Sequence, residues 1–262
     1  MNNTTILVDL DSRGVATITL NNPDKHNAFD DTIIQELSSA LAELAANPDL
    51  RVLILAAAGK TFCAGGDLEW MKRMARYSYD ENLGDAEKLA AMLKALNFFP
   101  RPTIARVQGA AFGGAVGLIS CCDMAVATPQ AIFALSEVKI GLIPAVISPY
   151  VIDAIGQRAA RRYFTTGERF SAETATSLGL ISELVQEQLL DEKIDELVEI
   201  YSDNGPAAVA AAKQLVFRVA PRMISEDLVR YTSEEISRIR VSEEGQEGIT
   251  AFLEKRKPAW SQ

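Results

Sequence analysis

Ile104–Asp123, IARVQGAAFGGAVGLISCCD, holds the turn around which the chain is organised. An apolar run, Thr103–Val107, enters it as a strand, and Gly109, Ala110, Ala111, Gly113, Gly114 and Ala115 form a small-residue turn. The apolar segment Val116–Cys122 leaves it as the first turns of a buried helix, with no proline between. Small residues at such a turn let backbone N–H groups approach a ligand closely, and the helix N-terminus adds partial positive charge. Two readings stand: a tight packing joint, or a cradle for an anion, including an oxygen that becomes negative during a reaction.

Upstream, GKTFCAGGDLEWMKRM repeats the design. The continuous apolar run Val52–Ala56 reads as a strand buried on both faces. The loop Ala64-Gly65-Gly66 follows it, then Asp67 and a helix. Two backbone N–H groups from separate loops can make an oxyanion hole, so the pair says more than either loop alone.

Before these, Thr5–Asp11 and Val15–Leu20 alternate around Ser12-Arg13-Gly14 as a β-hairpin. Ile33, Ile34, Leu37, Leu41 and Leu44 predict a helix from Asp30 or Asp31 to the Asn47-Pro48 stop. Tyr77–Glu81 reads as a polar, mobile connection, and Glu87–Leu96 as a helix. Beyond Asp123, Met124–Ala127 and Ile132–Ala134 read as strands, and Val151–Ile155 and Arg158–Thr165 as helices. Ser171 caps another helix that ends at Gly179, and Ser182–Val185 is a strand. From Leu189 strand signals stop, and Leu189–Tyr201, Pro206–Val219, Ser225–Ile239 and Glu243–Arg256 read as helices broken at Asn204-Gly205-Pro206 and Ala220-Pro221. The pattern is α/β followed by a helical tail. That tail either covers the mouth of the core and makes subunit contacts, the reading we favour, or stands as its own domain.

The 262 residues, 48% hydrophobic, suffice for a core without staples. Three cysteines and one histidine, with no CxxC, give no disulfide framework and no zinc site. The formal charge of −9 opposes nucleic-acid binding, no apolar run is long enough to span a membrane, and the N-terminus shows no secretory pattern. A soluble, cytoplasmic protein is expected.

Enolate chemistry beside a carbonyl needs a base. Glu137, in ALSEVKIG, lies between an apolar strand and an apolar loop, where desolvation raises a carboxyl's pKa; the alternative is a surface glutamate paired with Lys139 or Arg158. His26 sits in a polar turn with no nucleophile beside it and reads as structural. Asp67 and Asp123 fit capping and loop bracing, and Cys63 fits packing. No G-x-S-x-G elbow supports a serine hydrolase.

From NNPDKHNAF through TFCAGGDL, the central stretch and SEVKIGLIP to EGITAFLEKRKP, the chain resembles the crotonase (enoyl-CoA hydratase/isomerase) superfamily. WMKRMARYS, VQGAAFGG, LSEVKIGLIPAVISPYV and AARRYFTTGERF resemble, within it, bacterial methylglutaconyl-CoA hydratases. The resemblance implies a ββα spiral core over residues 1–200 and a helical trimerisation region over 201–262. It implies oxyanion-hole amides at Gly66 and Gly114, and coenzyme A contacts at Lys25, Ala28, Ala64, Gly65, Asp67 and Leu68. Phe252 and Lys255 would approach the nucleotide end from a neighbouring subunit of a trimer or a dimer of trimers. No cofactor is implied, since CoA arrives as part of the acyl-CoA substrate.

One departure stands out. Hydratases of this superfamily carry two glutamates; the later is Glu137, and the earlier aligns with Gly117. The expected activity is hydration of a branched 2-enoyl-CoA, foremost 3-methylglutaconyl-CoA to 3-hydroxy-3-methylglutaryl-CoA, with Glu137 as sole acid/base and Arg73 or Arg76 near the distal carboxylate. The alternatives are an enoyl-CoA isomerase, an isoprenoid-type glutaconyl-CoA hydratase, and a catalytically silent acyl-CoA binder. A solvated basic face is the alternative for the two arginines.

Overall fold

Strand β3 (Val52–Ala57) is buried at all six residues. Leu53, Leu55 and Ala57 join the main apolar core, while Val52, Ile54 and Ala56 belong to a second cluster on the other face. A strand covered on both sides has no use for polar alternation, which is why this run is uninterrupted.

The structure, a computed structural model, describes residues 5–220 and 222–261. Among these, the large sheet runs in the order β1 (Ile6–Leu10), β2 (Val15–Leu20), β3, β4 (Thr103–Val107), β6 (Met124–Ala127), β9 (Glu183–Leu184). A smaller sheet joins β5 (Ala111–Phe112), β7 (Ile132–Ala134) and β8 (Arg169–Ser171). The β1–β2 hairpin is antiparallel, and every other neighbour pair of the large sheet is parallel, with Ile54 opposite Ile104 and Ile104 opposite Met124. Parallel neighbours need crossovers, and these are supplied by α1 (Asp31–Ala45), by α2 (Leu68–Met74) with α3 (Tyr79–Asn97), and by α4 (Gly114–Cys121). Asp30 caps α1 by accepting from Ile33 N–H at 2.9 Å, and Ile33, Ile34, Leu37, Leu41 and Leu44 are its buried face.

Downstream lie α5 (Ser148–Thr166), α6 (Ala172–Leu178) and α7 (Leu190–Ser202), whose Leu190, Ile194, Leu197 and Val198 close the second cluster. The tail is α8 (Pro206–Val219), α9 (Glu226–Arg240) and α10 (Glu243–Glu254). It is tied to the core by Lys213 Nζ, which donates to Asp123 at 2.6 Å and to the Arg101 carbonyl at 3.0 Å. Leu228 and Ala251 are the tail's buried apolar residues among those described, whereas Met223, Ile224, Val241, Phe252 and Leu253 are exposed. None of the described helices is long and apolar enough to cross a membrane.

One expectation needs correcting, and two strands are added. Tyr77–Glu81 is not a mobile connection: Ser78 and Glu81 form a reciprocal capping box, so α3 begins at Tyr79 rather than Glu87. The helical segments Val151–Ile155 and Arg158–Thr165 are divided, as expected, at Gly156, whose φ of 74° is non-helical and open to glycine. The short strands β5 and β8 were not expected: Ala111-Phe112 lies inside the small-residue turn, and Arg169–Ser171 runs directly into the Ser171 cap. Of the Ala220-Pro221 break, Ala220 follows α8 as its cap and Pro221 lies outside the described residues.

Candidate active site

The site is assembled around Phe29. Its N–H donates to the Gly65 carbonyl at 2.7 Å, and its carbonyl accepts from Asp67 N–H at 2.6 Å. In a parallel bridge of this kind the residue between the two bonded groups turns its own N–H and C=O to the opposite side. That residue is Gly66, and its amide is thereby aimed away from Phe29. The Phe29 ring lies under the second loop, where a Cβ on Gly114 would stand 3.1 Å from it. Gly114 opens α4, so its N–H has no partner within the helix. One buried aromatic residue thus braces both glycine loops. A second bridge locks the loops together: Cys63 N–H donates to the Ala110 carbonyl at 3.1 Å, and Phe112 N–H donates to the Cys63 carbonyl at 3.0 Å.

Glu137 opens a short 3-10 turn, Glu137–Ile140, behind the second loop. A Cβ at Gly113 would stand 3.1 Å from its Oε1, and Gly113 has φ 55°, so glycine is demanded here twice over. Glu137 is half-buried, and its Oε2 is enclosed without accepting a hydrogen bond from any described protein group. Burial raises its pKa above the ordinary glutamate value, a rise that its own backbone N–H partly offsets. Neither Lys139 nor Arg158 pairs with it among the described ion pairs, so the surface-pair reading fails.

The residues expected along a CoA ester fall on one rim. Ala64 N–H donates to the His26 carbonyl at 3.0 Å, binding the Lys25–Ala28 segment to the Ala64–Leu68 segment. Lys25 Nζ pairs with Asp67 at 3.3 Å. Asp67 also caps α2, accepting from Glu69 N–H at 2.8 Å and Trp70 N–H at 3.0 Å. Burial pushes the Asp67 carboxyl up, but these donors and Lys25 outweigh it and hold its pKa below the usual range. Lys25, Ala64 and Leu68 are exposed, leaving a cation and two apolar groups at the rim.

Other assignments separate from this site. His26 is exposed, in the left-handed region, with Nδ1 3.2 Å from Thr61 Oγ1, a structural position. Asp123 accepts from Thr103 N–H and Oγ1 at 2.8 and 3.1 Å and braces its loop. Cys63 is buried, its thiol pushed up to about 12, which keeps it protonated. Arg73 and Arg76 line a surface groove of ≈ 280 Å³ with Glu69, Lys72 and Tyr77, and Arg73 is held 2.5 Å from Asp31. Phe252 is exposed, and Lys255 ends α10 in the left-handed region. Among the described residues, no hydrogen bond or ion pair joins either of them to Glu137.

Three residues at the site had no assigned role in the sequence reading: Phe29, Ile147 and Asn27. Asn27 is fully buried at φ 54°, a conformation asparagine tolerates better than most residues. Its Nδ2 donates to the carbonyls of Ala58 and Thr61, both at 2.9 Å, and its Oδ1 accepts from Asn22 N–H at 2.8 Å. Asn27→Ala leaves three backbone groups unpaired and is expected to cost on the order of 3 kcal/mol, read as a lowered urea midpoint at unchanged slope. An unchanged midpoint would show that the rim holds without it.

Gly117, where a second glutamate was expected, offers no room for one. A Cβ there would stand 2.3 Å from Ile147 Cγ2 and 2.7 Å from its Cβ.

A parallel-stranded core carries two glycine loops braced on one phenylalanine, with a desolvated glutamate packed behind the second loop. Residues 11–262 match the model of the family described as Enoyl-CoA hydratase/isomerase, and the chain belongs to that family. It is similar to the crystal structure of an enoyl-CoA hydratase from Shewanella pealeana, with 48% identity, a TM-score of 0.94 and coverage of 98% of this chain and 96% of that one. An enoyl-CoA hydratase structure from Mycobacterium smegmatis has 34% identity and a TM-score of 0.92, over 98% and 99% of the two chains. The mitochondrial enoyl-CoA hydratase domain-containing protein 3 of Xenopus laevis is 30% identical over 261 residues, covering 100% of this chain and 88% of that protein. The fold is therefore the crotonase fold with a helical C-terminal region.

Proposed function

We propose that the chain adds water to a 2-enoyl-CoA thioester, or removes it in reverse, with Gly66 and Gly114 N–H holding the thioester oxygen and Glu137 as the one acid/base. The observation that carries this reading is the packing of Glu137 Oε1 against Gly113, the residue that precedes the second donor. The carboxylate takes a proton from water as the oxygen bonds to the β-carbon. The double-bond pair moves onto the thioester oxygen, where the amides stabilise it, and the same carboxyl returns the proton to the α-carbon. Lys25, Ala28, Ala64, Gly65, Asp67 and Leu68 supply the rim along which CoA lies.

As substrate we favour a branched enoyl ester, 3-methylglutaconyl-CoA first, on the strength of WMKRMARYS and LSEVKIGLIPAVISPYV. Arg73 and Arg76 would then answer its distal carboxylate, although the Asp31 pair and the surface groove support a solvated face instead. Arg73→Gln and Arg76→Gln, assayed separately on 3-methylglutaconyl-CoA and crotonyl-CoA, decide this. A clamp predicts a roughly tenfold loss on the first ester alone. Equal losses on both remove the clamp and leave the solvated face.

Ile147 in the Gly117 notch favours a second reading, enoyl-CoA isomerisation, because one carboxylate suffices to move a proton along the acyl chain. Conversion of a 3-enoyl-CoA to its 2-enoyl isomer without gain of water would show it. The exposed apolar residues of α9 and α10 support assembly of residues 201–262 into a trimer or dimer of trimers, with Phe252 and Lys255 completing a neighbour's CoA site.

A further inference from the structure

Gly113 precedes the first turn of α4 and Gly117 lies in the next, about 6 Å further along the axis at the usual helical rise. The first touches Glu137, the second Ile147. Ile147 is 3% exposed, and its backbone is fixed as the N-cap of α5, its carbonyl accepting from Val151 N–H at 3.1 Å. The glycine one helical turn on from the one that touches Glu137 is thus filled by an alkyl group. That group can neither hold a water nor exchange a proton. Glu137 Oε2 is buried and accepts no hydrogen bond among the described residues.

We propose that Ile147, by plugging the Gly117 notch, is the specificity-determining residue that sets how the bound thioester partitions between water addition and proton shift. The inference rests on the reading of Glu137 as the base. Water addition breaks one O–H bond of water, forms O–Cβ, and delivers the released proton to the α-carbon through Glu137. The shift breaks a Cα–H bond of a 3-enoyl ester, forms the enolate at the oxyanion hole, and returns that proton from Glu137 to the γ-carbon as the double bond moves to Cα–Cβ. The first process needs a polar place beside the carboxylate and the second needs none. A closed, apolar notch restrains the first and leaves the second untouched.

The test measures kcat/KM for hydration of 2-hexenoyl-CoA and for isomerisation of 3-hexenoyl-CoA on wild type, Ile147→Val, Ile147→Thr and Ile147→Ala, each checked for fold by circular dichroism. Val keeps the plug, and the hydration-to-isomerisation ratio is expected to stay put. Thr keeps the shape of Val but brings a hydroxyl, and Ala opens the notch; both are expected to raise the ratio about tenfold. Should Ala fail to fold, Thr carries the test alone, since its bulk matches Val. A folded Thr or Ala variant with the wild-type ratio overturns the role of Ile147. Glu137→Gln on the same esters keeps the two ideas apart: retained turnover removes the base reading, while lost turnover with an unmoved ratio in the Ile147 variants removes this inference alone.

Discussion

Glu137→Gln is expected to lower kcat by about a thousandfold while leaving the Kd of a saturated acyl-CoA near its wild-type value. The amide keeps the shape that packs against Gly113, so the oxyanion loops and the rim are undisturbed, and the loss falls on proton transfer. Wild-type turnover on every enoyl ester in the Gln variant would disprove the base. The same slow background in both forms, with CoA esters still bound, would make the chain an acyl-CoA binder.

The pH dependence follows from the same burial. Desolvation raises the folded pKa of Glu137, so kcat/KM should rise with pH through a limb lying above the ordinary glutamate range, and Gln should abolish that limb. Stability moves the other way. With its folded pKa above its unfolded one, the native state binds the proton more tightly. Its contribution is then fully present below the unfolded pKa and is lost as pH rises through the folded value. At neutral pH the Gln variant should melt no lower than wild type. A lower melting temperature there would mean that Glu137 serves the fold rather than the chemistry.

The strands and helices were legible where burial imposes a period, as at Val52–Ala57 and along α1. The glycine loops were legible too, because close backbone approach leaves few residue choices. What stayed hidden was contact between distant segments. Phe29 looks like one more apolar residue until its backbone bridges Gly65 and Asp67 and its ring meets Gly114. Gly117 reads in sequence as an empty position, a missing carboxylate. Only the placement of Ile147, thirty residues on, shows that it is an occupied one. For Arg73, helical spacing places it near the first loop but does not reveal that it pairs with Asp31.

The proposed oxyanion hole can be tested although its donors would be backbone atoms. Gly114 is the first residue of α4, a position where proline is well accepted because its N–H has no helical partner and its φ suits a helix start. The preceding Gly113, at φ 55° and ψ −120°, is outside the right-handed helical region that a following proline disfavours. Gly114→Pro therefore deletes one donor with little demand on the backbone. Any side chain at 114 presses on the Phe29 ring, 3.1 and 3.2 Å from the new Cβ, so the comparison must be with Gly114→Ala, which adds the same Cβ and keeps the N–H. Relative to Ala, Pro is expected to lower kcat by about 10²- to 10³-fold, the usual loss of about 2.7–4 kcal/mol when one oxyanion donor is removed. KM should change far less, because the oxygen carries its full charge only in the transition state. If Pro and Ala lose activity equally, the effect belongs to the Phe29 contact, and Gly114 is the packing joint that its sequence also allowed.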